Sequence, residues 1–284
     1  TFVKGNIGDY DLALDVLRSR KVDAVVNFAA ESHNSLAVLR PDLFVETNVL
    51  GTQRLLMAAR DAGAGRFHHI STCEVYGDLA LDSEDAFTEE TPYRPRTPYN
   101  ASKAAADLVV RAFHDTFGLP ITISNCANNY GPCQFPEKVI PKFATNALNG
   151  QKLPLFKSSR NRREWIHVLD HCRAIDRILQ DGRIGETYNV GTGDELDVET
   201  IADRILDILE LDASHKEYVP DRPGHDRRYL LDSSKIRSEL NWSSEVPIEE
   251  GFRQTVIWYR ENRDWWEPLL ERIQVDEAGW EKRD

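Results

Sequence analysis

Between Asp11 and Arg18 the apolar residues recur at helical spacing, and Val22 to Phe28 is a short β-branched run closed by the small residues Ala29 and Ala30. This predicts a helix followed by a buried parallel strand. The alternation then repeats. Pro41 to Asp61 and Tyr99 to Phe117 carry long helical patterns, while Arg66 to Ser71 and Pro120 to Cys126 are strand-length runs. Strands separated by helices of this length fit an α/β fold built on a doubly wound, parallel, Rossmann-like sheet. After Gly131 the pattern loosens: Pro132, Pro136, Pro141 and Pro154 punctuate the chain, and shorter elements follow at Glu164 to Val168, Glu186 to Val190 and Val198 to Leu209. The expected organisation is a Rossmann-like domain over residues 1–131 and a smaller C-terminal substrate domain over residues 132–284 that exchanges segments with it.

A dinucleotide-binding sheet opens with a strand, a glycine-rich turn and a helix whose N terminus faces a pyrophosphate, in a spacing such as GxGxxG or GxxGxxG. Here Gly5, Gly8, Gly63 and Gly65 lack that spacing, and Thr1 to Val3 reads as what would be a third strand. Either the first βαβ unit lies outside this chain, or the chain holds no dinucleotide in the usual way.

Composition narrows the partners. A chain of 284 residues, 41% of them hydrophobic, can bury a large core, and nothing in it is repetitive. Its 35 Lys plus Arg stand against 47 Asp plus Glu, a net charge of -12, which argues against nucleic acid held by bulk electrostatics and leaves any acidic substrate to local basic clusters. Cys73, Cys126, Cys133 and Cys172 show neither CxxC nor Cys/His ligand spacing and make no disulfide framework, so a reducing cytoplasm and no metal are expected. Neither a long apolar run nor a charged-then-apolar leader appears, so no membrane span and no signal peptide are expected.

The strongest chemical signal is Tyr99-Asn-Ala-Ser-Lys103 at the start of a predicted helix, one βα unit after Ser71-Thr72-Cys73-Glu74 at a strand end. Tyr and Lys four residues apart share a helical face, so the ammonium can stabilise a phenolate while the Thr72 hydroxyl orients a substrate hydroxyl. Such a phenolate is a base for the proton of an alcohol as hydride leaves. A YxxxK alone arises often by chance; the strand-end Ser-Thr and the βα context single this one out.

Ala29 to His33, Thr47 to Thr52, Ser71 to Gly77, Asn128 to Pro132, Phe135 to Lys138, Arg163 to Val168, Tyr188 to Gly191 and Asp221 to Tyr229 cover nearly the whole chain in order. Together they resemble the successive motifs of the dTDP-glucose 4,6-dehydratases, extended short-chain dehydrogenases of the NAD-dependent epimerase/dehydratase family. The resemblance implies NAD as cofactor and a nucleotide-diphosphate sugar, dTDP-glucose, as substrate. It implies oxidation at the sugar C4, elimination of water across C5 and C6, and return of hydride to C6. In that reaction Tyr99 is the base at the C4 hydroxyl, Lys103 its electrostatic support and ribose contact, Thr72 the hydroxyl orienter and Glu74 the base at C5. Asn6, Ile7, Ala29, Ala30, Ser32, Thr47, Ser71 and Asn125 are the further implied cofactor contacts. His33, Asn128, Lys138, Phe156, Arg163, Asn189, Arg222, His225 and Tyr229 are the implied substrate contacts, with Phe156 against the base and Arg163, Arg222 and His225 on the diphosphate, where guanidinium groups form bidentate, charge-assisted bonds. By the same likeness, the missing opening is the unit that holds the cofactor phosphates.

Two positions depart from the family. Asn6-Ile7 stands where an Asp-Ile pair lies beside the adenine, and an amide oxygen can also accept from the exocyclic amine. Cys73 stands where these dehydratases carry the Asp that protonates the departing C6 hydroxyl. A thiol with an ordinary pKa of about 8.5 is protonated at neutral pH, and Glu74 beside it raises that value further. Cys73 is then the acid, or Glu74 or a water takes over, or elimination is inefficient; a buried apolar thiol is the bland alternative. Related 4-epimerases need no carboxylate at Glu74, and related decarboxylases differ around Arg222 to Tyr229, where Arg227 and Arg228 are equally readable as structural. Trp258, Tyr259, Trp265 and Trp266 read as packing residues, and strand alternation sends His68 and His69 to opposite faces. By the resemblance, a homodimer pairs through the two long helices, with Leu55, Leu56, Val109 and Val110 as its apolar surface.

Overall fold

The computed structural model describes residues 1–221 and 223–273. Helix α1 (Tyr10–Ser19) begins where the Asp9 carboxylate accepts the Leu12 amide at 3.1 Å, and strand β1 (Ala24–Asn27) follows. After α2 (Asn34–Leu39), the long helix expected from Pro41 forms in three registers: α3 (Pro41–Phe44), a π-helical stretch at Val45–Gly51, and α4 (Thr52–Ala62). The wider turn keeps the helix continuous while rotating Asn48 inward, where its amide brackets the Glu31 backbone (2.8 and 3.0 Å) and reaches Ser102 Oγ at 2.8 Å. Gly63 ends α4 in the left-handed conformation (φ 72).

Strand β2 (Arg66–Thr72) passes into a 3₁₀ turn at Cys73–Tyr76; then come α5 (Pro98–Phe117), β3 (Ile121–Cys126) and β4 (Asn128–Tyr130). The chain continues through α6 (Val139–Leu148), β5 (Leu153–Phe156), β6 (Arg162–His167), α7 (Val168–Asp181), β7 (Thr187–Val190), β8 (Glu195–Asp197) and α8 (Val198–Ile208). It ends, among the described residues, with β9 (Lys216–Val219), α9 (Ser234–Leu240), α10 (Ile248–Glu261) and α11 (Arg263–Leu270).

Strands β1, β2, β3 and β7 form one sheet in that order, every pair parallel. Its last strand comes from beyond Gly131, so the second half of the chain completes the first half's sheet. Leu17, Leu56, Phe67, Val110, Phe113, Ile121 and Ile123 fill the layer under α1, α4 and α5, while Ala174, Ile178, Tyr188, Val190, Ile236 and Trp242 fill the opposite layer under α7 and α9. Helices on both faces make the sheet doubly wound. A second apolar core, including Tyr130, Phe143, Leu155, Trp165, Ile205 and Phe252, lies among α6, α8 and α10 and the small sheets β4-β6-β8 and β5-β9.

Three expectations need correction. Thr1 to Val3 pairs with no strand and Phe2 is 88% exposed; a strand needs a neighbour's N–H and C=O groups, and β1 is the sheet edge here. Pro41 to Asp61 is helical throughout but not uniformly α. Leu56 and Val110 belong to the core beneath α4 and α5 rather than to a surface, with Leu55 and Val109 packed against it. The outward apolar residues nearby are Val45, Leu50 and Leu108. Of the four aromatics expected to pack, Tyr259 and Trp266 are buried, while Trp265 is exposed with its ring against the half-buried Trp258. No helix among the described residues is long and apolar enough to cross a membrane.

Candidate active site

At the carboxyl ends of the parallel strands, where open α/β sheets receive ligands, a cleft of about 510 Å³ runs between the large sheet and the α6–α8 part. Thr97 and Pro98 set the start of the helix that serves it. The Thr97 hydroxyl accepts the Asn100 amide at 3.2 Å and Pro98 supplies a fixed φ at the first helical position, which puts Tyr99 in the first turn and Lys103 one turn later, both on the cleft wall.

Tyr99 is almost fully buried, its ring edge-on to Phe44 with centroids 6.1 Å apart. Burial, and then the charge of Glu74, push its phenol well above the usual value, while a hydrogen bond from Thr72 pulls the other way. Thr72 Oγ1 accepts the Glu74 amide at 3.3 Å, which leaves its proton for Tyr99. Lys103 Nζ donates to the Ile70 carbonyl at 2.7 Å and lies 3.2 Å from His69 Nε2. Burial lowers the Lys103 pKa, against the pull of Asp107.

Glu74 lines the same wall and accepts from Asn34 Nδ2 at 3.2 Å. Cys73, between Thr72 and Glu74, does not. It is 1% exposed in the core with Val75, Tyr76 and Tyr229, and burial followed by the charge of Glu74 holds its thiol well above its usual pKa. A 3₁₀ turn advances about 120° per residue, so the neighbours Cys73 and Glu74 point different ways, and the thiol lies in the core rather than on the cleft wall.

Ala30, Ser32, Ser71 and the Tyr99–Lys103 pair line the cleft's sheet side. Asn6 and Thr47 line a separate hollow of about 500 Å³ with Gly8, Gly51 and Arg54; Asn6 Oδ1 accepts the Gly8 amide at 2.8 Å, and Ile7 packs on Gly51. Ala29 donates its amide to Asn27 Oδ1 beside the cleft rim. Asn125 does not line the cleft: it is fully buried, with Nδ2 2.7 Å from the Tyr76 hydroxyl.

His33 lines the cleft beside Ser32, and from the other side come Asn128, Lys138, Phe156, Arg163, His225 and Tyr229. Lys138 Nζ donates to the Ser32 carbonyl at 2.6 Å and sits 3.2 Å from its hydroxyl, bridging the two walls. Phe156 and His225 meet edge to face, 5.3 Å between centroids. Arg163 stacks on Tyr229 at 4.5 Å and directs its donors to the Asp226 (2.7 Å) and Arg227 (3.3 Å) carbonyls, so it fixes the segment that carries His225 as well as charging the wall. Tyr229 in turn donates to the Asp226 carboxylate. Arg222 lies outside the described residues. Asn189 is no substrate contact: fully buried in β7, it donates to the Phe87 carbonyl at 2.9 Å and accepts the Tyr76 hydroxyl at 2.8 Å. Neither Arg227 nor Arg228 lines the cleft; they are bonded to Asp78 and Glu195 respectively.

The implied contacts left out Asn34, which bridges Glu74 and the Thr97 hydroxyl; Glu137 and Lys142, which flank Lys138 on the wall; and His171 on α7. His171 Nδ1 meets Asn129 Oδ1 at 2.9 Å, and burial drives its pKa down to about 4. Lys142, one helical turn from Lys138, was the legible member of this set.

Residues 1–255 match the protein family described as GDP-mannose 4,6 dehydratase. The dTDP-glucose 4,6-dehydratase of Streptomyces niveus is 50% identical over 268 residues, 94% of this chain and 78% of its own length. That of Mycobacterium tuberculosis is 46% identical over 282 residues, 99% of this chain and 83% of its own. Among solved structures, DesIV, the dTDP-glucose 4,6-dehydratase of Streptomyces venezuelae with NAD and TYD bound, matches with a TM-score of 0.91 at 50% identity, over 94% of this chain and 82% of that one. The UDP-glucose 4-epimerase of Thermotoga maritima shares the fold at 27% identity and a TM-score of 0.87, over 92% and 85%. On these matches the chain belongs to the nucleotide-sugar 4,6-dehydratase family, alongside the dTDP-glucose 4,6-dehydratases.

Proposed function

We propose that this chain is an NAD-dependent dTDP-glucose 4,6-dehydratase. The observation that carries the reading is Glu74 on one wall with Thr72, Tyr99 and Lys103, a second base beside a dehydrogenase pair. Small residues at Ala30, Ser32 and Ser71 beside a buried cation suit a nicotinamide riboside, so these with Tyr99 and Lys103 would hold NAD at this end, and Asn6 and Thr47 its adenine side. When bound, NAD supplies the acceptor and later the donor of the hydride.

Tyr99 receives the proton of the C4 hydroxyl, with Thr72 as hydrogen-bond donor and Lys103 as positive charge to lower the cost of the phenolate. The resulting ketone acidifies the C5 hydrogen, and Glu74, held by Asn34, takes that proton. With Cys73 turned into the core, protonated Glu74 is the group at hand to hand a proton to the C6 oxygen as water leaves. Lys138, Arg163 and His225 give an acidic protein a locally basic wall for the diphosphate, and Phe156 offers a face to the base.

We assign the sheet side of the cleft to a cofactor domain, residues 1–131, completed by β7, and the rest to a substrate domain. Outward Val45, Leu50 and Leu108 support a homodimer through α5 and the π-helical stretch, and the free cysteines support a reducing cytoplasm. The test of the chemistry is Glu74→Gln in the full-length protein with NAD and dTDP-glucose. NADH absorbance should still build up while no water is lost; full turnover by the variant would exclude Glu74 as the C5 base.

A further inference from the structure

With Cys73 in the core, elimination asks Glu74 to act first as base and then as acid. The side chains behind it bear on which of its two oxygens does so. Asn34 opens α2 on the cleft wall, and Thr97 caps α5, the helix that carries Tyr99. Leu36 and Ala37 of α2 pack with Phe44 and Tyr99, and this seats Asn34 between Glu74 and the cap. Thr97 is buried, Asn34 half-buried and Glu74 9% exposed.

The hydrogen bonds fix how the Asn34 amide is turned. Thr97 Oγ1 accepts the Asn100 amide at 3.2 Å, and its own proton goes to Asn34 Oδ1, 3.2 Å away. Asn34 Nδ2 therefore faces Glu74 and donates to Oε2 at 3.2 Å. An amide nitrogen donates and does not accept, so a proton placed on Oε2 would set O–H against N–H. Turning the amide over would relieve that opposition, but it would leave the buried Thr97 proton without its acceptor. The cap of the catalytic helix thus decides the orientation of the amide, and the amide decides which carboxyl oxygen can hold a proton.

We propose that Thr97 and Asn34 form a lock that confines the proton gained by Glu74 to Oε1, so that one oxygen takes the proton from C5 and delivers it to the C6 oxygen. The proposal rests on the dehydratase reading of this cleft and adds two positioning residues to it. The C5–H bond breaks, its electron pair passes into the C5–C6 double bond, and its proton goes to Oε1. The C6–O bond breaks with its pair on oxygen, which takes the proton from Oε1 and leaves as water, and the carboxylate is restored. A proton on Oε2 would be turned toward Asn34 and lost to the second half of this step.

The test uses the full-length protein with NAD and dTDP-glucose. Asn34→Leu, close to isosteric but without either polar group, should lower kcat about 30-fold, the scale of a lost hydrogen bond to a charged group. Affinity for dTDP by calorimetry and the single-turnover rate of C4 oxidation should stay at wild-type values, so NADH absorbance should build up and then fall as product forms. A residue that merely supports the fold would slow oxidation in the same proportion. Thr97→Ser keeps the hydroxyl and should turn over like wild type, whereas Thr97→Val, which lacks it, should accumulate NADH as Asn34→Leu does. Wild-type turnover by Asn34→Leu, or slow turnover without NADH accumulation in Asn34→Leu or in folded Thr97→Val, overturns the proposal. Wild-type protein that releases no water sinks the dehydratase reading and the lock with it; wild-type protein that dehydrates normally beside an unaffected Asn34→Leu sinks the lock alone.

Discussion

His68 offers a measurement of how dry the sheet core is. Its ring is fully buried, with Nδ1 2.9 Å from Thr122 Oγ1 and Nε2 3.1 Å from Ser124 Oγ, and burial first, then the neighbouring His171 and Arg66, drive its pKa down to about 3. A histidine whose folded pKa is depressed contributes stability that is present above its unfolded pKa and lost as pH falls toward the folded value. Between about pH 7.5 and about pH 5 the unfolded ring takes up a proton that the folded ring refuses, which costs about 2 kcal/mol, whatever the folded pKa is so long as it lies well below 5. His68→Gln removes that loss while keeping a donor and an acceptor for the two hydroxyls. The variant should be less stable than wild type at neutral pH, and the gap should close by about 2 kcal/mol at about pH 5. Urea unfolding followed by tryptophan fluorescence across this range reads the difference directly. A gap that stays constant with pH would mean that His68 is protonated in the folded protein, and the account of this core would be wrong.

Other substitutions separate packing from chemistry. Gly191→Ala would drive a methyl into the Glu164 carboxylate, which accepts the Gly193 amide at 2.7 Å and the Leu231 amide at 2.9 Å, so thermal unfolding should show a loss of about 2 kcal/mol or more. Asn189→Ala leaves the Tyr76 hydroxyl proton without its acceptor, while the Phe87 carbonyl keeps the Asp232 amide, and should cost about 2 kcal/mol in urea unfolding, with KM for the sugar unchanged in whatever fraction folds. Cys73→Ala should leave kcat within about two-fold of wild type in steady-state assay, because the thiol faces the core, and should cost about 1 kcal/mol of stability for the small cavity. Glu164, raised by burial to about 7, and Asp107, raised to about 6, contribute with the opposite sign to His68: their share of stability is full below the unfolded carboxyl range and is lost as pH rises through those values. Glu164→Gln should therefore flatten the fall in melting temperature between about pH 5 and about pH 8 seen by calorimetry.

The parallel sheet was legible because its strands are short runs rich in β-branched and aromatic residues set between longer amphipathic helices, a contrast that survives without tertiary information. Tyr99 and Lys103 were legible because four-residue spacing on a helix is itself geometry, and the Thr97-Pro98 cap shows where that helix starts. What failed depended on direction within irregular backbone. Cys73 and Glu74 are neighbours in a 3₁₀ turn, and only the turn's orientation decides which one sees the cleft. Asn189 sits in a motif beside site residues, yet alternation along β7 turns it into the core, and the pairing that fixes its face, Asn125 with Asn189, joins elements 64 residues apart in sequence. Asn34 escaped notice because its role exists only once α2 is folded against Glu74 and Thr97. The π-helical stretch escapes a periodicity read as one α-helical register from Pro41 to Asp61.

The most direct test of the central claim is the mass of the product. Full-length protein incubated with NAD and dTDP-glucose should convert the sugar nucleotide to a species lighter by one water, and Glu74→Gln should abolish that loss. A product of unchanged mass, or loss of water that persists undiminished in Glu74→Gln, would contradict the assignment of this cleft to dehydration through Glu74.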